Sequence, residues 1–382
     1  MAIKTMTPED FSFMARAIRL AEQGIYTTHP NPRVGCVLVR EGEIVGEGFH
    51  RRAGEPHAER NALAEAGERA RGATAYVTLE PCCHHGRTPP CSDGLIEAGV
   101  TRVVVAMTDP NPRVAGQGIA QLEAAGIRVD QGVMTDQAMA LNPGFIARMS
   151  RGRPFVRCKL AMSLDGRTAM ASGESKWITG AEARKDVQRL RARSDAIVTG
   201  IGTVLADDPS MNVRLGVAEL PGVESAAYLL QPLRVVLDPD LQTSPSARLL
   251  SLPGETLIVT ASENEKRRQA LLAVGAEVIL LPRHGIGIDL DLLMERLAQS
   301  GINEVLIESG PTLAGAAVAA DVVDELVIYA APTLMGSDAR GLLNLPALTE
   351  MKDRIALEIL DLRMVGADLR IRARPTRIIQ GG

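Results

Sequence analysis

The sequence predicts a two-domain α/β protein, on three observations. Its 382 residues exceed the span of one ordinary domain. Short β-branched runs alternate with helix-period stretches along nearly the whole chain, the pattern of sheets covered by helices. That alternation breaks at Ser150-Arg151-Gly152-Arg153-Pro154, which is polar, carries Gly and Pro, and is followed by a new strand. The expected domains are therefore 1–150 and 151–382.

In the first half, Thr7-Pro8-Glu9-Asp10 starts a helix: a hydroxyl cap, Pro in the first turn, and acids against the helix dipole. Phe13, Met14, Ala17, Ile18 and Ala21 then recur at helical spacing until Gly24. Residues 34–39 and 44–49 flank Glu41-Gly42-Glu43 as a hairpin. A helix-like run rich in Ala, Glu and Arg covers 57–71, and 74–80 (TAYVTLE) reads as a buried strand. A strand at 102–107, a helix at 117–125 and a strand at 127–130 complete the unit.

The second half offers strands at 155–161, 196–199, 234–237, 256–260, 277–281, 304–307 and 325–331. Helices are expected at 181–193, 263–274, 289–299 and 312–320, which argues a largely parallel sheet with helices on its faces. Residues 216–231 show little periodicity and read as a surface excursion.

Composition excludes several classes. Hydrophobic residues make up 46% and charged residues 23%, ordinary values for a soluble globular protein. Aromatics are only 3%, so the cores must rest on Ala, Val, Leu and Ile. A net charge of −4 offers no basic footprint for nucleic acid. No apolar run reaches membrane-spanning length, and MAIKTMTPED lacks a signal-peptide core. Five cysteines, three of them clustered, suit a reducing compartment, so a cytoplasmic enzyme is expected.

The chemistry concentrates at His57-Ala58-Glu59, Pro81-Cys82 and Cys91. One imidazole and two thiolates can hold Zn²⁺ and leave a fourth position open for water, where a closed four-ligand site would be structural. Glu59 can reach that water without being a ligand, as in the H-x-E…P-C…C pattern of zinc deaminases. The pieces are weak singly; their placement at a strand end and a helix start strengthens them. The eight residues between Cys82 and Cys91 depart from C-x-x-C and put polar groups beside the metal, predicting a charged substrate. Cys83 reads as a small packed thiol, and Cys36 and Cys158 as ordinary strand thiols.

A second site is suggested at Glu308-Ser309-Gly310-Pro311-Thr312-Leu313-Ala314-Gly315, which follows a strand and opens a helix. Such a junction suits phosphate, although plain turn chemistry is the commoner explanation and the G-x-G-x-x-G fingerprint is absent. Lys159 to Arg167 puts charges and a Gly turn just beyond a strand. The sole Trp, Trp177, reads equally as core packing or as a ligand-stacking group. Arg184, Lys185, Arg189, Arg191 and Arg193 crowd one helical segment, where one or two could clamp a phosphate. Thr203 to Pro209 and Arg214 complete the set.

Both halves resemble one family, the bifunctional deaminase–reductase of riboflavin biosynthesis. The resemblance covers nearly the whole chain. It rests on His-Pro-Asn-Pro-x-Val-Gly (29–35), Gly-Glu-Pro-His-Ala-Glu (54–59), Leu-Glu-Pro-Cys…Pro-Pro-Cys (79–91) and Asp-Pro-Asn-Pro (109–112). It continues through Ser-Leu-Asp-Gly-Arg (163–167), Trp-Ile-Thr (177–179), Leu-Ala-Asp-Asp-Pro (205–209) and Gly-Pro-Thr-Leu-Ala-Gly (310–315).

The resemblance implies an N-terminal cytidine-deaminase-like three-layer domain and a C-terminal dihydrofolate-reductase-like domain. The first would deaminate 2,5-diamino-6-(5-phosphoribosylamino)pyrimidin-4(3H)-one, and the second would use NADPH to reduce the ribosyl group to ribityl. His57, Cys82 and Cys91 would hold Zn²⁺. Glu59 would take a proton from the metal-held water, deliver it to a ring nitrogen and protonate the departing ammonia. Asn31, His50, His84, Arg87, Asp109 and Asn111 would surround this first substrate. Lys159 and Glu308 would lie nearest hydride transfer, with Ser175, Arg191, Met211 and Arg214 on substrate. Ala161, Trp177, Thr203, Asp207 and the loop Gly310, Pro311, Thr312, Leu313, Ala314, Gly315 and Ala316 would line NADPH. The expected partners are the phosphoribosylaminopyrimidine substrate and a second copy of the chain in a homodimer, with no nucleic acid and no membrane. Two other readings compete: a nucleobase or tRNA deaminase carrying an unrelated second domain, and a non-catalytic zinc-stabilised binding module.

Overall fold

The computed structural model describes residues 6–84, 89–112 and 114–376. The chain divides into two compact units, Met1–Gly152 with Gly216–Leu229, and Arg153–Leu215 with Leu230–Gly382.

The first unit contains α1 (Pro8–Glu22), β1 (Gly35–Arg40), β2 (Glu43–Phe49), α2 (Ala58–Ala66), β3 (Thr74–Val77), α3 (Cys91–Glu97) and β4 (Arg102–Val105). It closes with α4 (Gln117–Ala124), β5 (Arg128–Gln131), α5 (Thr135–Leu141) and α6 (Pro143–Arg151). Strand order is β2-β1-β3-β4-β5. β1 pairs antiparallel with β2 and β3, whereas β3, β4 and β5 run parallel. Alternation along β1 sends Cys36 and Leu38 to one core with Ala58, Ala62, Leu95 and Leu122. Val37 and Val39 go to the other, with Met14, Ala17, Ala138 and Leu141. The result is three layers, helices on both faces of one sheet. With few aromatics available, close approach replaces bulk. A Cβ at Gly48 would overlap the Ala58 carbonyl oxygen, so glycine lets α2 lie directly on β2.

α1 begins as expected: Thr7 and Asp10 cap each other's backbone N–H groups. The run expected as a helix over 57–71 is α2 followed by a single 3₁₀ turn, Gly67–Ala70. Helices α3, α5 and α6, of only seven to nine residues, are too short to carry a readable period.

The segment Gly216–Leu229 clusters with this first unit, whereas the sequence placed all of 151–382 in the second. Its anchors are isolated apolar residues, buried Leu220 and Val223. Arg51 pairs with Glu224 at 3.0 Å, and the Arg52 guanidinium lies 5.2 Å from the Tyr228 ring centre. Such scattered contacts leave no periodic signature.

The second unit runs β6 (Phe155–Ser163), β7 (Arg167–Ala169), α7 (Ala181–Ala192), β8 (Ala196–Gly200), α8 (Ile201–Asp207), β9 (Leu233–Leu237), α9 (Arg248–Ser251) and β10 (Thr256–Thr260). It continues with α10 (Glu265–Leu272), β11 (Glu277–Leu280), β12 (Arg283–His284), β13 (Gly287–Ile288), α11 (Leu290–Gln299), β14 (Glu304–Glu308) and α12 (Pro311–Ala319). β15 (Glu325–Ala331), β16 (Arg340–Gly341), β17 (Ala356–Val365) and β18 (Asp368–Thr376) complete it. The main sheet has the order β11-β10-β9-β8-β14-β6-β15-β18-β17. Its first seven strands are parallel, and β18 and β17 add an antiparallel hairpin. Leu326 and Ile328 of β15 join the core under α11 and α12, while Val327 and Tyr329 pack against Ala183 and Val187 of α7. Burial on both faces explains why these strands read as apolar runs. The terminal hairpin escaped the sequence reading because its charged residues break both runs.

Candidate active sites

Three side chains converge where β3 leads toward the starts of α2 and α3. His57 is the N-cap of α2, Cys91 opens α3, and Cys82 lies five residues past β3. Their ligand atoms all lie within 4.8 Å of one another, the one such set of three among the described residues. His57 Nδ1 is 3.5 Å from Cys82 Sγ and 3.3 Å from Cys91 Sγ, and the Cys91 N–H donates to Cys82 Sγ at 3.4 Å. One imidazole nitrogen and two sulfurs fit Zn²⁺ with a position to spare, and Cys83 is outside the set. The hydrogen bond from Cys91, then His57, draws the Cys82 thiol down to about 4 against its burial, while Cys91 itself rises.

Glu59, in the first turn of α2, is only 3% exposed. Burial first, and then the Cys82 sulfur, push its carboxyl up to about 7. A group poised there can both accept and return a proton near neutrality.

The expected substrate residues gather unevenly. Asn31 Nδ2 and His50 Nε2 are 3.0 Å apart, and the His50 ring meets His57 edge-on at 5.1 Å. His50 Nδ1 faces the Pro56 carbonyl at 3.2 Å, which assigns the proton to Nδ1 and leaves Nε2 to accept from Asn31. Burial lowers this imidazole to about 4, so it is neutral. Asp109 is buried, pushed up to about 6, and accepts from the Asn111 N–H at 2.8 Å. His84 is exposed, and Arg87 lies outside the described residues.

Sequence reasoning overlooked the groups behind the sulfurs. The Ser92 hydroxyl donates to the Cys82 carbonyl at 3.0 Å and reaches Gln121 Oε1 at 2.8 Å, while Gln121 Nε2 donates to Asp93 at 2.6 Å. Glu80, inside the quoted Leu-Glu-Pro-Cys, is buried as well. Its only sequence signal was an acid at the end of an apolar run.

In the second unit, Lys159 on β6 and Glu308 on β14 are register partners on adjacent parallel strands. Arg191 of α7 grips Glu308 with two bonds, of 2.6 and 2.9 Å, and donates its remaining arm to the Asn212 carbonyl at 3.0 Å. Burial opposes ionisation of Glu308, but Arg191, Lys159 and Arg214 together hold it below its ordinary value. Lys159 is lowered by burial against the pull of Glu308. Three cations around one carboxylate leave an excess of positive charge suited to a phosphate. Met211 is buried, and its neighbour Asn212 carries the carbonyl that Arg191 holds.

Ser175 and Trp177 belong to the loop 170–180. Lys176 Nζ meets Asp207 Oδ1 at 3.0 Å, tying that loop to α8, which also carries Thr203. Trp177 is 72% exposed, with the Arg184 guanidinium 4.7 Å from its ring centre, which removes the core-packing alternative. Ala161 on β6 is half-buried. In α12, Gly310 is the N-cap and no side chain caps the helix, leaving its first N–H groups available. Pro311, Thr312, Leu313 and Ala316 keep some exposure. Ala314 belongs to the core, and a Cβ at Gly315 would overlap Asn344 backbone.

Fold and sites together define a two-domain enzyme with a zinc-binding deaminase region and a reductase region. Residues 7–107 match the cytidine and deoxycytidylate deaminase zinc-binding region, and residues 154–370 match the RibD C-terminal domain. The chain is 53% identical to riboflavin biosynthesis protein RibD of Escherichia coli, covering 94% of this chain and 98% of that one. It is 51% identical to RibD of Haemophilus influenzae, covering 96% and 98%. A crystal form of Acinetobacter baumannii RibD superposes with TM-score 0.88 at 47% identity, covering 96% of this chain and 99% of that one. The Thermotoga maritima diaminohydroxyphosphoribosylaminopyrimidine deaminase/5-amino-6-(5-phosphoribosylamino)uracil reductase gives TM-score 0.84 at 32% identity, with coverage of 96% and 99%. The chain belongs to the RibD family, bifunctional deaminase–reductases of riboflavin biosynthesis. Among the described residues, no helix is long and apolar enough to cross a membrane.

Proposed function

We propose that the first unit deaminates 2,5-diamino-6-(5-phosphoribosylamino)pyrimidin-4(3H)-one and that the second reduces the product's ribosyl group with NADPH. The carrying observation is the His57–Cys82–Cys91 convergence within 4.8 Å beside buried Glu59. His57, Cys82 and Cys91 hold Zn²⁺, which when bound acts as a Lewis acid toward water. Glu59 would take one proton from the attacking water and pass it to the ring nitrogen, then take the second from the newly attached hydroxyl and give it to the amino group, which leaves as ammonia as the carbonyl forms. Neutral His50, fixed by Pro56, and Asn31 orient the ring. Asp109, Asn111, His84 and Arg87 contact the same substrate.

In the second unit Glu308, held by Arg191, and Lys159 flank the reacting carbon, and Lys159 donates the proton that the opened sugar oxygen requires. Arg191 and Arg214, with Ser175 and Met211, contact substrate. NADPH supplies the hydride; Trp177, Ala161, Thr203, Asp207 and the exposed start of α12 bind it. A domain limit near residue 150, an exposed apolar face on β17 docking a second copy of the chain, and a cytoplasmic setting for five unpaired cysteines complete the reading.

The test is an ammonia-release assay on the phosphoribosylaminopyrimidine followed by addition of NADPH and measurement of its oxidation. Ammonia from that substrate, then NADPH loss only after it, is the expected sequence. Release solely from tRNA or free nucleobases would move the assignment to the competing deaminase class.

A further inference from the structure

Among the described residues, Glu80 is a buried carboxylate with no cationic partner in its hydrogen-bond set, and both oxygens accept two N–H bonds each. Oε2 accepts from the Asp109 N–H at 3.1 Å and the Gly116 N–H at 2.9 Å. Oε1 accepts from the Gly118 N–H at 3.0 Å and the Ile119 N–H at 3.3 Å. Helix α4 has Gly116 as its N-cap, no side-chain cap of its own and no acid in its first turn. Glu80, three residues past β3, therefore caps that helix from outside it, its carboxylate set against the positive end of the helix. Its own N–H donates to the Met107 carbonyl at 3.0 Å.

The two segments meet closely. A Cβ at Gly118 would overlap the Pro81 carbonyl oxygen, so glycine is required where α4 presses on the residue before Cys82. One carboxylate thus links the segment after β3 that carries Cys82 to the loop that carries Asp109 and Asn111. We propose that Glu80 is a positioning residue of the deaminase, setting the metal-ligand segment 80–82 against Asp109 and the start of α4 at 116–119. This inference rests on the deaminase reading given above.

Gln is the discriminating substitution. Its amide has one oxygen for four N–H groups, and its NH₂ faces two donors whichever way it turns. In the full chain, Glu80→Gln is expected to lower the deaminase kcat on the order of 10- to 100-fold, the range found when groups supporting metal ligands are changed. Zinc should pass to a chelator faster, and the visible absorption of the cobalt(II)-substituted protein should shift. NADPH oxidation by the second unit, assayed with deaminated substrate, should stay at the unmodified rate and report that the chain is intact. Ile18→Val, in the core under α1, serves as comparator: it lowers the melting temperature of the same unit and leaves kcat and the cobalt spectrum unchanged. If Glu80→Gln does not fold, Gly118→Ala separates the same segments with the carboxylate intact and carries the same expectation. Unmodified kcat, zinc retention and cobalt spectrum in Glu80→Gln, or in Gly118→Ala if that variant stands in, overturn the proposal alone. An unmodified chain that binds no zinc and releases no ammonia overturns the deaminase reading, and this inference with it.

Discussion

Arg191 and Glu308 form a two-pronged ion pair, Nε to Oε1 at 2.6 Å and Nη2 to Oε2 at 2.9 Å, with both side chains 12% exposed. The sequence offered Arg191 as one of five basic residues in its helical segment, one or two of which could clamp a phosphate, and the family resemblance put it on substrate. Its third arm is also committed, to the Asn212 carbonyl, so the guanidinium fixes the Glu308 carboxylate. Arg191→Ala leaves a buried carboxylate without its main partner and should cost the second unit about 3–5 kcal/mol, read by chemical denaturation. Arg191→Lys keeps the charge but loses the fork; it should unfold later than the Ala variant yet still reduce the rate of NADPH oxidation.

Glu59→Gln is the direct test of the proton shuttle. Gln fills the same buried space and cannot carry the proton. Ammonia release should fall by about 10²- to 10⁴-fold. Metal analysis should find zinc retained, and NADPH oxidation on deaminated substrate should be unchanged. Undiminished ammonia release would remove Glu59 from the mechanism.

Acid should weaken the first unit through Asp10. Burial favours its neutral form, but hydrogen bonds from Arg102, the Thr7 N–H and the Tyr76 hydroxyl outweigh it and hold the carboxyl well below its ordinary 3.8. A depressed native value means the unfolded chain binds the proton first. The stabilisation is therefore complete above the unfolded value and is lost as pH falls through the native one. Denaturation midpoints measured from about pH 5 to pH 2 should drop more steeply in the unmodified chain than in Asp10→Asn.

Trp177 offers a single-source optical signal, since it is the only tryptophan in the chain. Exposed and backed by Arg184, it is placed to stack on a planar ring. NADPH should quench its emission saturably. Trp177→Ala should raise KM for NADPH about tenfold or more, the loss of roughly 1.4 kcal/mol, within the range of aromatic contacts.

Dimerisation should depend on β17. Ile359, Leu362 and Met364 are 57, 59 and 62% exposed on this edge strand, an unprotected arrangement that natural sheets avoid unless it is covered. Leu362→Asp should shift sedimentation from dimer to monomer with the fold intact by circular dichroism. A monomeric unmodified chain would end this reading.

The sequence by itself determined the local and periodic features. The Thr7 cap, the β1–β2 hairpin, the seven parallel strands and the α/β class were all legible, because each is written in turn residues or in side-chain period over a short window. His57, Cys82 and Cys91 were legible because so few residue types can ligate zinc. Tertiary structure alone decided the rest. It turned Arg191 toward Glu308, set Glu80 beneath α4, brought Gly216–Leu229 to the first unit and pressed Gly315 against the Asn344 backbone. Those relations join residues distant in the chain through single hydrogen bonds or close contacts, and such pairings leave no period or composition in either segment alone.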